Sequence, residues 1–177
     1  MKRHPPLPLL ALAIAAVVTL PDTGQAQTVP ARTYFLAEGA TGSFFDTDIL
    51  LANPHDIAIP VTLTFLKEDG TTITQDRSLS PTSRTTVRVD TIPGLEATSM
   101  STIVTSTTGA EVIVERTMRW DATGYGAHTD KATSGAATHW YFAEGAQGFF
   151  FTYLLLVNPH AAANVAHVTY LREGISG

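Results

Sequence analysis

Apolar and polar residues alternate along most of residues 33–120, and this period of two predicts β-strands. In residues 61–65, for example, Val, Leu and Phe occupy one face of the strand and Thr the other. No stretch has the three- and four-residue spacing of an amphipathic helix. The pattern predicts seven strands, at residues 33–37, 44–52, 61–67, 71–79, 84–89, 100–107 and 111–120.

Turn-forming residues separate these strands. Asn53-Pro54, Asp69-Gly70, Pro93-Gly94 and Thr108-Gly109 all lie between predicted strands. Burial of one face only is typical of antiparallel sheets. Seven short strands in about ninety residues therefore predict an all-β fold, specifically an immunoglobulin-like antiparallel β-sandwich. A propeller blade or small barrel is the competing interpretation, although a blade repeat of ~40–50 residues is shorter than the period described next.

The sequence repeats itself. Residues 34–40 read Tyr-Phe-Leu-Ala-Glu-Gly-Ala and return as Trp-Tyr-Phe-Ala-Glu-Gly-Ala at residues 140–146, an offset of 106. Residues 44–55 return at 149–160, an offset of 105, and both end in Asn-Pro-His. A period near one hundred residues fits a whole small domain in tandem rather than a solenoid repeat.

The repeat and the local composition divide the chain into four parts. We predict a signal peptide at residues 1–26, a first β-sandwich repeat at 27–122, a Gly/Ala/Thr-rich connection at 123–138 and a partial second repeat at 139–177. The second repeat contains only the first three predicted strands, too few to enclose a two-sheet core. We expect either a fragment of a longer array or a partial unit that packs on the first sandwich or on another molecule. The stop where the first copy enters its fourth strand favours a fragment.

The N-terminus predicts export. Lys2 and Arg3 begin the chain, and residues 7–20 form an apolar run of 14 residues, shorter than the ~20 that span a membrane. Small residues at Gly24 and Ala26 favour cleavage after Ala26, with a retained anchor as the alternative. The predicted localisation is therefore secreted or cell surface. Without any Cys, the mature domain holds no disulfide.

Charge excludes some classes of partner. Loss of residues 1–26 leaves nine basic and 15 acidic residues, a net charge of about −6. A mildly acidic chain without a basic stripe argues against nucleic acid and against docking to anionic lipid. We expect neighbouring repeats or other surface proteins as partners, with the ligand unknown, and no membrane association after cleavage.

One charged pair is predicted inside the sandwich. In residues 112–120 the apolar residues alternate, and Arg116 falls in phase with them. A buried guanidinium needs a carboxylate or several carbonyls. Glu38 stands in the repeated Ala-Glu-Gly-Ala segment, so we hypothesise a structural ion pair between Glu38 and Arg116. The alternative is that Glu38 binds a ligand or metal.

The sequence contains no recognised catalytic or cofactor-binding motif, so we predict no catalytic residues, no cofactor and no metal site. Calcium stays open at Asp46, Asp48 and Asp56, because hard cations take several carboxylate oxygens. The second copy has Phe151 and Tyr153 in place of Asp46 and Asp48, so such a site is not part of the repeat. Residues 46–48 also lack the remaining spacing of an EF-hand loop.

An aromatic run in the second copy is a candidate interface. Phe149, Phe150, Phe151 and Tyr153 fall on both faces of the predicted strand, so one face exposes apolar surface unless something covers it. A neighbouring unit of the same array is the favoured cover.

The segments Tyr-Phe-x-Ala-Glu-Gly-Ala, Leu-Leu-Ala-Asn-Pro and Val-Thr-Leu-Thr-Phe-Leu resemble tandem units of large secreted bacterial proteins of uncharacterised function. The resemblance covers most of residues 33–177 and implies a non-catalytic sandwich, often repeated and sometimes appended to secreted enzymes. We therefore expect a secreted, non-enzymatic β-sandwich repeat protein with a structural or adhesive role. The alternative is an accessory module, for example a carbohydrate-binding one, of an extracellular hydrolase whose catalytic domain is absent from this chain.

Overall fold

The computed structural model of the protein describes residues 30–121, 125–149, 151–172 and 174. In that part of the chain it contains eight strands and one single-turn 3-10 helix, Val89–Thr91. The strands are β1 (Arg32–Leu36), β2 (Phe45–Asn53), β3 (Ile59–Lys67), β4 (Thr72–Leu79), β5 (Ser83–Arg88), β6 (Met100–Ser106), β7 (Ile113–Trp120) and β8 (Gly126–Lys131). Each of the seven predicted strands is present, with ends shifted by no more than two residues.

The strands form two four-stranded antiparallel sheets, in the orders β1-β6-β3-β4 and β5-β2-β7-β8. This confirms the prediction of an all-β sandwich. Alternate residues of the central strands point inward, so Ile49 and Leu51 of β2 and Leu63 and Phe65 of β3 are fully buried between the sheets. The outer residues of the same strands are half-buried or exposed, as expected for sheets with one solvated face.

The strand order shares part of the immunoglobulin pattern. The pairs β2–β5 and β3–β6 correspond to its second–fifth and third–sixth strand pairs. An immunoglobulin domain, however, pairs its first strand with the second and its seventh with the sixth. Here β1 pairs with β6 and β7 pairs with β2, so the first and seventh strands lie in each other's sheets. An immunoglobulin-like identity beyond the sandwich architecture stays a prediction.

The eighth strand lies in the segment that the sequence assigned to a connection. Within residues 123–138, β8 pairs along its whole length with β7, from Trp120↔Gly126 to Glu115↔Lys131. The chain then crosses to the other sheet, where Phe35 and Thr133 exchange two backbone hydrogen bonds of 2.8 and 3.0 Å. Residues 126–133 are therefore more than a connection, since they close one side of the sandwich.

The second copy differs from its prediction. In residues 139–149 and 151–172 the structure contains no strand, and nearly every residue is exposed. The three expected strands are absent there because a strand needs hydrogen-bonded neighbours, and none of the described residues provides them. The predicted signal peptide, residues 1–26, lies outside the described residues. Elsewhere, in the part of the chain described, no helix is long and apolar enough to cross a membrane.

Candidate functional site

Arg116 lies in the interior of the sandwich. It occupies the inner face of β7 between Val114 and Met118, opposite Ile49 of β2. Only 3% of its side chain is exposed. The alternation of β7 places a permanently charged guanidinium among apolar residues, where it is stable only with partners of its own.

The loop after β1 delivers Glu38 to this arginine. The next residue, Gly39, accepts a hydrogen bond from the Met100 amide at 2.9 Å. A Cβ atom on Gly39 would lie 2.6 Å from the Met100 sulfur, closer than real Cβ contacts allow. The repeated Glu-Gly sequence is therefore explained in the first copy, because glycine lets the loop pack against β6.

Glu38 and Arg116 form an ion pair across the two sheets. Arg116 Nη1 donates to the Glu38 carboxylate, and the Glu38 carbonyl oxygen lies 3.4 Å from the same nitrogen. The structure thus brings together the two residues that the sequence analysis paired. The contact joins the end of β1 in one sheet to β7 in the other, which favours a structural role.

A third residue, His128, completes this cluster. Arg116 Nη2 donates to His128 Nδ1 at 2.8 Å, and since arginine only donates, Nδ1 is the acceptor. His128 lies on β8 opposite Met118. Sequence reasoning missed His128 because it missed β8. The third nitrogen, Arg116 Nε, is buried without a hydrogen-bond partner among the described residues.

The acidic residues considered for calcium do not converge. Asp48 is paired with Arg119 on the outer face of its sheet, at 2.9 Å. Asp46 is exposed on the same strand, and Asp56 is exposed in the loop that follows β2. Across the described ranges, no group of three or more His, Cys, Asp or Glu side chains is placed to hold a metal ion.

Asn53 holds together the other end of the sandwich. Its Nδ2 donates to the carbonyls of Ile57, Leu79 and Ser80 at 2.8, 3.1 and 2.9 Å, while its Oδ1 accepts from the His55 amide at 3.0 Å. The side chain therefore joins the β2–β3 turn to the end of β4. The sequence identified Asn53-Pro54 only as a turn, although its repetition at Asn158-Pro159 was a signal for a further role.

Two of these local arrangements recur in the second copy. Thr47 Oγ1 accepts from the Ala40 amide and donates to its carbonyl, at 3.0 and 2.6 Å. Thr152 makes the same pair of bonds with Ala146, at 3.0 and 2.7 Å. The second copy therefore has the loop geometry of the first.

The asparagine turn recurs as well. Asn158 Nδ2 donates to the Ala162 carbonyl at 2.8 Å, as Asn53 does to Ile57. The His160 amide donates to Asn158 Oδ1 at 3.2 Å, as His55 does to Asn53. Among the described residues, the second copy has no counterpart of the bonds that Asn53 makes with Leu79 and Ser80 at the end of β4.

Burial separates the two copies. At the positions of the fully buried Leu51 and Phe65, the second copy has Leu156 and Tyr170, which are 63% and 72% exposed. The candidate interface is exposed too: Phe151 and Tyr153 are 83% and 77% accessible, and with Gln147 they line a shallow cleft. Phe149 is also exposed, and Phe150 lies outside the described residues.

Comparison with known proteins shows the fold alone. No family model matches the chain, and no curated protein matches it. The crystal structure of Thermotoga maritima 1070 is similar, with a TM-score of 0.53 and 18% sequence identity, over 60% of this chain and 98% of that chain. Sixty per cent of 177 residues is about 106, close to the span from β1 to Thr133. The similarity is therefore about one sandwich in size.

Proposed function

We propose that this protein is a secreted, non-enzymatic repeat protein with a structural or adhesive role at the cell surface. In this proposal, residues 139–172 form the beginning of a second β-sandwich, which is completed by strands equivalent to β4–β8. The described residues present a packed unit with an internal ion pair and an apolar segment that repeats its first three strands. Both features belong to a scaffold of stacked units rather than to a catalytic cleft.

The observation that supports the proposal most is the repetition of hydrogen bonds. Thr152 and Asn158 close the same loops as Thr47 and Asn53 in a segment that has no sheet around it. Apolar side chains such as Leu156 and Tyr170 then stand exposed where the first copy has its core. Such a segment gains stability only when matching strands cover it.

Gly174 has a backbone conformation like that of Gly70, the glycine between β3 and β4. In the first copy, Gly70 has φ of 80° and reverses the chain between β3 and β4. In the second copy, Gly174 has φ of 73° at the equivalent turn, which is one residue shorter. A left-handed glycine at this place is typical of the tight turn of a hairpin.

A graft tests the proposal. Residues 68–133 are placed directly after Arg172 of the full chain, so that the second copy receives copies of β4–β8. We expect a second set of slowly exchanging amides within residues 140–172, measured by hydrogen exchange and mass spectrometry. If residues 140–172 exchange as fast in the graft as in the parent chain, the segment is not the beginning of a sandwich.

Two matched substitutions control the graft. Leu156 corresponds to the buried Leu51, whereas its neighbour Leu155 corresponds to Leu50 on the outer face. Leu156→Asp should abolish the new protection, because it places a charge in the core. Leu155→Asp should leave it intact. Equal effects would indicate nonspecific collapse instead of a sandwich.

A second candidate function is an accessory module that binds carbohydrate for an extracellular hydrolase. The observation in its favour is that the exposed Phe151 and Tyr153 line a shallow cleft together with Gln147, since sugar rings stack on aromatic faces beside polar groups. Calorimetric titration of the full chain with soluble polysaccharides tests it. Binding that is lost in Tyr153→Ala would support this function, and no heat with any polysaccharide would count against it.

A further inference from the structure

The Glu144 carboxylate identifies the chemistry of the strands that complete the second copy. Resting on the function proposed above, we infer that the occupant is a β4–β8 strand set of a further repeat. We further infer that this set carries a buried arginine opposite Glu144 and needs no arginine on the outer face. In the first copy, Glu38 pairs with the buried Arg116, and Asp48 pairs with Arg119 on the outer face. The second copy has a glutamate again at the first position, Glu144, but a tyrosine at the second, Tyr153.

The first step is the position of Glu144. It follows the second copy's first segment as Glu38 follows β1, and it precedes the same Gly-Ala pair. The bonds between Thr152 and Ala146 fix the loop as the bonds between Thr47 and Ala40 do. A sandwich that forms around this segment would therefore receive a carboxylate at the position of Glu38.

The second step is desolvation. Glu144 is exposed in this structure, whereas the Glu38 side chain is 29% exposed. Covering a carboxylate without a charged partner costs several kcal/mol in protein interiors. Among the described residues, only Thr152 lies near the place that a Cβ atom of Gly145 would occupy, at 3.6 Å. The space that Met100 of β6 fills beside Gly39 in the first copy is therefore still open beside Gly145. Completion of the second sandwich thus requires a cation at the position of Arg116.

Arginine fits this position better than lysine. In the first copy one terminal nitrogen contacts Glu38 and the other contacts His128 on β8. A guanidinium makes both contacts at once because its donors form a planar fork, while a lysine ammonium is a single charged centre. The same arginine therefore holds the loop after the first strand and the eighth strand together.

The outer face gives the opposite result. In the first copy, Asp48 pairs with Arg119 across β2 and β7 at 2.9 Å. The second copy has Tyr153 at the position of Asp48 and Phe151 at the position of Asp46. The carboxylate that Arg119 contacts is therefore missing from the second copy, and an outer arginine has no charge to pair with there.

Trp140 cannot make the hydrogen bond that Tyr34 makes at the matched position of the first copy. The Tyr34 hydroxyl accepts a hydrogen bond from the Val112 amide at 3.0 Å. The second copy has Trp140 there, and an indole donates but does not accept; in this structure it donates to the Ala137 carbonyl at 3.1 Å. The graft is therefore prepared both with Trp140 and as its Trp140→Tyr form, so that this mismatch cannot mask the result.

The experiment compares two arginines in the grafted segment of the extended full chain. Arg116→Met in the graft should lower the melting temperature of the second unit by about 10–20 °C, because it leaves Glu144 buried without its partner. Arg119→Met in the graft should leave that temperature unchanged. Hydrogen exchange on peptides from residues 140–172 follows the second unit separately from the first.

A double substitution distinguishes pairing from packing. Glu144→Met combined with Arg116→Met in the graft removes both charges and should recover most of the lost stability, since no orphaned charge is left. Equal effects of the Arg116→Met and Arg119→Met grafts would overturn this inference and leave the proposed function standing. Failure of both the Trp140 and the Tyr forms to protect residues 140–172 would overturn both.

Discussion

Residues 34–67 and residues 140–172 have the same order of apolar, polar and turn residues, but only the first set is folded into sheets. The Thr–Ala loop and the Asn turn are alike in both copies. Burial is not: Leu51 is covered completely, and its counterpart Leu156 is largely open to solvent. Local geometry therefore follows from local sequence, whereas burial follows from strands elsewhere in the chain.

Sequence separation explains the difference. The repeated bonds join residues two to seven positions apart, so they close with little loss of chain entropy. The pairings of β2, by contrast, reach residues such as Arg116, which lies opposite Ile49. These pairings require most of a unit to be present, so matched positions of the two copies should respond differently to the same substitution.

The largest contrast is expected in the core. Leu51→Ala should lower the free energy of unfolding by about 2–5 kcal/mol, because it removes buried methyl groups and leaves a cavity. Leu156→Ala should change it by less than about 0.5 kcal/mol, as for other exposed positions. Urea unfolding of the full chain measures both. Similar losses at the two positions would mean that the second copy is packed in solution.

The charged pair gives the next largest contrast. Glu38→Gln should cost about 2–3 kcal/mol, because Arg116 then stays buried without its counter-charge while water still reaches the site in part. Glu144→Gln, at the matched position, should leave the unfolding free energy unchanged. Guanidinium denaturation would mask the pair through its salt, so urea is the denaturant. An unchanged free energy of unfolding in Glu38→Gln would show that the pair adds nothing to stability.

We expect a smaller contrast between the two asparagine turns than between Glu38 and Glu144. Asn53→Ala removes bonds to carbonyls at the end of β4 as well as the local turn, and we expect a loss of about 1–3 kcal/mol. Asn158→Ala removes only local bonds on an exposed segment and should cost less than about 0.5 kcal/mol. Thermal unfolding of the two variants beside the parent chain measures this. Equal shifts would contradict a special role for the contacts to β4.

The smallest effect concerns the turn between β3 and β4. The hydroxyl and the backbone amide of Thr71 both donate hydrogen bonds to the Asp69 carboxylate. These bonds, the hydroxyl's more than the amide's, hold the pKa of that carboxyl below its ordinary value of 3.8. A lowered pKa in the folded state stabilises the fold above the ordinary value and stops doing so as the pH falls through the lowered one. The stability advantage of the parent chain over Asp69→Asn should therefore shrink in acid.

Urea midpoints measured from about pH 5 down to about pH 2 would test this dependence. The sequence of the second copy has Glu173-Gly174 and no aspartate at this place, so Asp69 has no matched residue there. An advantage that stays constant across the acid range would show that the charge of Asp69 does not matter.

The sequence predicted the seven main strands because their alternation and their turn residues agree. It missed β8, since Gly126–Lys131 has no apolar alternation and is mostly exposed. Its strand conformation comes from pairing with β7, and pairing across a sheet is not a property of the segment itself. His128 was missed for the same reason.

The sheet order was also beyond the sequence. Alternation indicates which face of a strand is buried but not which strand lies beside it, so the pairing of β1 with β6 could not be read from the pattern. Arg116 was found because a charge in phase with Val114 and Met118 contradicts its surroundings, and Glu38 was the repeated carboxylate available to resolve that contradiction. The strands expected in the second copy show the limit of pattern reasoning: a period of two predicts a strand only where partners exist.

The backbone bridge between Phe35 and Thr133 has a mechanical consequence. Because the two segments run antiparallel, the chain enters the sandwich at Arg32 and leaves it beyond Thr133 toward the same end. A force that pulls these two points apart would break the bonds of the bridge one after the other rather than all at once. The bridge between Phe35 and Thr133 would therefore be the first of these contacts to open under tension.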